Sequence, residues 1–133
     1  MDPTPGTVMT EFEFETHGIL TPHLLRAIVG QYSLPRRGTH GLPHWARVLD
    51  NGLRIAGETG ADPIVVTLFA VFHDACRLNE GWDRGHGQRG ADLAAALRGD
   101  VYVLDDERFD LLHYACVHHT DGMTEGDPTV RSC

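Results

Sequence analysis

The chain contains no lysine, and all eleven of its basic residues are arginine. That absence reads first as composition bias, and second as a set of planar forks able to grip phosphate in two-point fashion. Cysteine is scarce too. Cys76, Cys116 and Cys133 are odd in number and widely spaced, with no C-x-x-C pair, which argues against a disulfide scaffold and a cysteine-built zinc site. Cys76 and Cys116 fall in apolar helical contexts and are expected as small core residues. No apolar run reaches the length of a membrane span, and the acidic N-terminus lacks the pattern of a secretory signal, so a cytoplasmic chain without membrane contact is expected. Repeats and low-complexity tracts are absent. Positive charge is in deficit: a formal net charge of -8 with neutral histidines argues against extended nucleic-acid binding, which needs a basic face.

What the chain does have is histidine, nine of them in 133 residues. That length suits one domain, and the 41% hydrophobic content suits an ordinary globule. Met1 to about Gly18, with Pro3, Pro5 and the alternating Glu11-Phe12-Glu13-Phe14-Glu15, reads as a strand or a peripheral arm, and the arm is assigned to 1–20. The remainder, 21–133, reads as all-α, a bundle of five or more helices. Thr21 caps a first helix with Pro22 at its first position and Leu24, Leu25, Ile28 and Val29 as its apolar stripe. A second runs from near Pro43 toward Glu58, and a third from the Asp62-Pro63 start to near Arg77. Leu78 to Gly90 reads as a loop, followed by a short helix from Ala91 to Leu97. Asp105 or Asp106 caps a last helix from Glu107 to about His119.

The most informative dipeptide is His73-Asp74, at the end of the apolar run from Ile64 to Phe72. A segment apolar on nearly every face is a buried helix, and a buried carboxylate is costly unless paired or bound to a cation. Co-ligands are available in His44 upstream and His86, His118 and His119 downstream. His118 and His119 project about 100° apart on a helix, so at least one should face the centre. Imidazole with carboxylate suits Fe, Mn, Ni, Co or Zn. His17, His23, His40 and His113 lack comparable partners and are expected at the surface or the edge of the core. Arg36 and Arg37 read as an exposed loop, and Glu80, Asp83 and Arg84 as solvated.

His44-Trp45-Ala46-Arg47-Val48 followed by His73-Asp74-Ala75-Cys76-Arg77 resembles the opening signature of the HD-domain metal-dependent phosphohydrolase superfamily, an H…HD…D ligand set on a helical core. His86 with Gly90, and His118-His119-Thr120-Asp121-Gly122, resemble the additional histidines of its binuclear members, such as the HD-GYP phosphodiesterases. The resemblance spans about Gly41 to Gly122. It implies His44, His73 and Asp74 as ligands of a first metal, with Asp74 bridging to a second held by His86 and by His118 or His119. It also implies a basic residue at Arg77, which binds substrate phosphate or pairs with Asp74. The family's last ligand is an Asp on a later helix, and here only Asp121 and Asp127 follow His119, neither on an expected helix.

The implied activity is metal-dependent hydrolysis of a phosphate ester or phosphoanhydride of a small molecule or nucleotide by a metal-activated water, with one or two transition-metal ions. Two alternatives share the ligands: an HD-type di-iron oxygenase, and a non-catalytic HD module that binds a ligand or partner. Substrate identity and oligomeric state are not written in these residues.

Overall fold

The computed structural model describes residues 18–120 and Thr129, and five helices lie within them. They are α1 (Pro22–Gly30), α2 (Leu42–Thr59), α3 (Pro63–Phe72), α4 (His86–Leu97) and α5 (Asp106–His118). The described residues form no strand beyond one isolated bridge between Arg98 and Tyr102. The expected all-α class is what is observed. The arm's Met1 to His17, along with Asp121, Asp127 and Cys133, lies outside the described residues. Leu20, at the arm's end, is already buried in the core.

The helix starts follow from local chemistry. Thr21 accepts a hydrogen bond from the Leu24 amide, Asp62 from Ile64 and Asp105 from Arg108, each satisfying an amide that the helix leaves unpaired. Gly60, at φ 78°, stops α2 in the left-handed conformation that glycine adopts without strain.

α3 is the centre of the bundle and touches all four other helices. Every residue from Val65 to Phe72 is buried. Such all-round burial, worth roughly 1.5–3 kcal/mol for each large apolar side chain, is why the segment lacks an amphipathic stripe. α3 ends at Phe72, short of the Arg77 expected from sequence. His73 is its C-cap, and the chain then turns tightly, with the Ala75 amide donating to the Phe72 carbonyl and the Arg77 amide to the Asp74 carbonyl. The HD pair therefore leaves the helix end at its most buried point.

Two further expectations change. α4 begins at His86, five residues before Ala91, so His86 stands in a helical first turn and not in a loop. Glycines at 87 and 90 hide this helix from a propensity reading, yet both are there for close approach: a Cβ on Gly87 would meet the Cys116 carbonyl, and one on Gly90 the Phe72 carbonyl. Cys116 is buried as expected, whereas Cys76 is half-buried, its thiol donating to Gln31 Oε1 at 3.3 Å.

Candidate metal centre

Asp74 is 2% exposed and stands among five imidazoles. Its Oδ2 lies 3.3 Å from His40 Nδ1, 3.3 Å from His44 Nε2 and 3.4 Å from His73 Nε2. Its Oδ1 faces the other way, 3.3 Å from His86 Nε2 and 4.0 Å from His119 Nε2. One carboxylate thus serves two groups, His40–His44–Asp74 and Asp74–His86–His119, either of which could hold a metal ion.

The orientation of three of these rings is fixed from behind. His73 Nδ1 lies 3.1 Å from the Phe69 and Ala70 carbonyls, His86 Nδ1 2.7 Å from the Asp83 carbonyl, and His119 Nδ1 2.8 Å from the Cys116 carbonyl. A carbonyl only accepts, so in all three rings Nδ1 carries the proton and Nε2 points a lone pair inward. His86 Nε2 and His119 Nε2 are 3.0 Å apart, and His44 Nε2 and His73 Nε2 3.4 Å apart. For His86 and His119, lone pairs facing each other and an anion at these distances repel unless positive charge sits between them.

At His73 and His119 protons do not supply that charge well. Burial pushes the His73 imidazole down to about 4, outweighing the pull of Asp74, and burial lowers His119 as well. Burial alone would raise the Asp74 carboxyl, but its hydrogen bonds with His44 and Arg77 and the Arg77 charge hold it well below the usual carboxylate range. Apart from the 4.0 Å between Asp74 Oδ1 and His119 Nε2, the spacing fits a metal instead. An ion bonded at about 2.1 Å in tetrahedral or octahedral geometry places neighbouring donors about 3.0–3.4 Å apart. Backbone carbonyls behind the ligand rings are the outer shell such sites use to fix tautomer and angle.

Five of the six metal ligands expected from sequence converge here: His44, His73, Asp74, His86 and His119. His118 does not. Its ring packs on Tyr114, 4.4 Å between centroids, and lines a different cavity. His119, one position on at the C-cap, takes the inward direction that only one of two adjacent residues can have. His40, expected at the surface or core edge, is the residue that the sequence reading missed. Its i, i+4 spacing to His44 was the available signal, but it lies in the loop before α2, where helical periodicity gives no direction.

Arg77 is buried and donates from Nε to Asp74 Oδ1 at 3.1 Å and from Nη1 to the Asn79 and Gly81 carbonyls. Of its two expected roles, pairing with Asp74 is the one the geometry displays, and the guanidinium also borders the adjoining cavity. Glu80 and Asp83, expected as solvated, are structural: Glu80 accepts from the His40 amide at 3.1 Å, and Asp83 from the Leu78 amide and from Arg89 Nη2, each at 2.6 Å.

The cavity beside the centre is lined by His40, His44, Phe69, His73, Asp74, Arg77 and His119 and measures about 280 Å³. A larger one of about 630 Å³ lies at the N-termini of α3 and α5, but there Arg108, its one lining cation among the described residues, already pairs with Asp62 and Asp105. The smaller cavity is the one with convergent donors and perturbed titration, so it is the functional candidate.

These shifts fix a pH dependence for the metal-free fold. His73 binds a proton more weakly folded than unfolded, and so does Asp74, so the unfolded chain takes up more protons as pH falls. The stability tied to His73 is complete above the ordinary imidazole value of 6.5 and is lost as pH drops through it toward about 4, whereas that tied to Asp74 is lost only below the ordinary carboxyl value of 3.8. Urea midpoints measured without metal are expected to be flat from pH 8 to 7 and to fall steadily below 6.5. Midpoints that stay level to pH 5 would contradict a neutral, buried His73.

Among the described residues no helix is long and apolar enough to cross a membrane. Compared with known proteins, the chain matches no family model, no curated protein and no solved structure.

Proposed function

We propose that the chain is an HD-type metal-dependent phosphohydrolase with one or two cations held around Asp74, the carboxylate that would bridge them when both sites fill. The observation that carries this reading is the division of one buried carboxylate between two sets of imidazole nitrogens, with the rear nitrogens of His73, His86 and His119 held on backbone carbonyls. The order His44, His73-Asp74, His86, His119 along the chain supports it. Bound transition-metal ions would supply an activated water and positive charge for the phosphoryl oxygens.

The chain's own residues do the rest. Asp74 holds the two halves at a fixed separation. Arg77 keeps that carboxylate ionised and oriented, and presents positive charge at the cavity wall. Phe69 stacks on His73 at 4.8 Å and excludes water from that side. The cavity, about 280 Å³, falls below the roughly 300–1,000 Å³ of sites that enclose a whole small molecule, so it takes the phosphoryl group and leaves the remainder of the substrate outside.

The test is metal content of chelator-free protein, followed by phosphate release from a panel of phosphomonoesters, cyclic and linear nucleotides and pyrophosphate with Mn, Co, Ni, Zn or Fe. We expect one or two ions per chain and turnover with at least one of these metals. Oxygen consumption with bound di-iron and no phosphate release would move the assignment to an oxygenase. Metal-free protein that takes up none of the five metals would remove both enzymatic readings.

A further inference from the structure

We infer that His40 is a ligand of the cation held between His44 and Asp74, binding through Nδ1, and that it biases this half of the centre toward transition metals and away from magnesium. The inference deepens the metal-dependent reading above and rests on it.

Four observations lead there. His40 Nε2 lies 3.2 Å from the Glu80 carbonyl, so that nitrogen carries the proton and Nδ1 is left with its lone pair. Nδ1 is buried and makes no hydrogen bond among the described residues, although it stands 3.3 Å from Asp74 Oδ2. The same carboxylate oxygen is 3.3 Å from His44 Nε2, and the two rings meet edge to face at 5.5 Å, so both donors aim at one point beside it. The loop that carries His40 is clamped: the His40 amide donates to Glu80 Oε1, the Trp45 indole donates to the His40 carbonyl at 2.8 Å, and Gly41 sits where a Cβ would meet the Arg36 carbonyl. A ring held this firmly, with a buried acceptor aimed at an anion, is organised for a positive ion.

The consequence concerns the choice of metal. Each imidazole that replaces an oxygen donor favours Fe, Co, Ni or Zn over magnesium, which prefers oxygen and retains its water. His40 raises the nitrogen count at Oδ2 without adding charge. It also gives this cation a ligand through Nδ1, whereas His73, His86 and His119 offer Nε2.

That difference makes the inference directly testable in the intact chain. Histidine-ring 15N spectra should be followed during titration of the wild-type protein with zinc, with His40 assigned by its absence in His40→Gln. We expect the His40 Nδ1 resonance to move to the metal-bound position while its Nε2 stays protonated, and the opposite pattern for His86 and His119. If the other rings respond and His40 does not, His40 is no ligand and the metal reading stands. If no ring responds, the metal reading itself falls.

Affinity supplies the second readout. Losing an outer-shell partner costs about 10–100-fold, so removing a ligand in His40→Gln should weaken one zinc step by at least about 100-fold. His40→Asp should recover binding and narrow the preference for cobalt over magnesium by at least about tenfold. Unchanged zinc affinity in a folded His40→Gln protein would overturn the inference; should that variant not fold, the wild-type titration and His40→Asp decide.

Discussion

Asp74→Asn is expected to empty both halves of the centre at once, taking metal content from one or two ions per chain to near zero. The two carboxylate oxygens are the only anionic atoms shared by the two metal-holding groups, so no single histidine substitution should have so wide an effect. Removing His44 or His119 would leave Asp74 and the opposite group intact. The amide of the Asn variant is nearly isosteric, and its oxygen can still accept from Arg77 Nε, but without charge.

The effect on folding is predicted to be smaller than the effect on metal. Arg77 would lose its ionic partner while buried, and breaking a buried pair typically costs about 3–5 kcal/mol. Two features reduce that figure here. Arg77 keeps its bonds to the Asn79 and Gly81 carbonyls, and the new NH2 group can donate to His40 Nδ1 and His73 Nε2, which face Oδ2 in the wild-type protein. A loss of about 1–2 kcal/mol in the metal-free state is therefore expected. The decisive measurement compares denaturation with and without zinc. Zinc at 100 times its dissociation constant should stabilise wild type by about 2.7 kcal/mol for each ion bound and leave the variant where it was. A helical Asp74→Asn protein that still takes up the wild-type quantity of metal would end the bridging assignment.

Much of the fold was readable because its punctuation is chemical and local. Thr21-Pro22, Asp62-Pro63 and Asp105 each announce a helix start by the side-chain oxygen that caps it, and each helix begins there. The convergence of His44, His73, Asp74 and His86 was also readable, since a buried acid at the end of an apolar helix demands a counter-charge and few residues could supply it. What could not be read depends on direction in three dimensions. Sequence leaves His118 and His119 equivalent, and only the way α5 lies across α4 decides between them. His40 owes its place to Glu80, forty positions later, whose carbonyl and carboxylate both hold it. α4 was shortened in the sequence reading because glycine is a poor helix former, and the reason for those glycines lies on other helices.

The same glycines lead to the other large effect: Gly90→Ala should lower stability by about 1–3 kcal/mol, although alanine improves helix propensity by up to about 1 kcal/mol. Steric overlap decides the sign. A Cβ at this position would run into the Phe72 carbonyl oxygen, with the Phe72 carbonyl carbon at 3.3 Å and the His73 carbonyl oxygen at 3.4 Å, all backbone atoms that cannot rotate away. α4 must then slide off the end of α3. Gly57, on α2, has nothing within 4 Å of a Cβ, so Gly57→Ala should stabilise by up to about 1 kcal/mol and serves as the opposite-sign control. The displacement should be legible at the centre as well as in the denaturation midpoint. His86 rides in the first turn of α4, whereas His44 belongs to α2 and has no part in the movement. Zinc titration of Gly90→Ala should therefore weaken or abolish the response of His86 and His119 while that of His44 persists. Equal weakening in both halves would mean that the α3–α4 approach positions the HD turn as a whole, and unchanged stability with an unchanged His86 response would show that the contact carries no positional constraint.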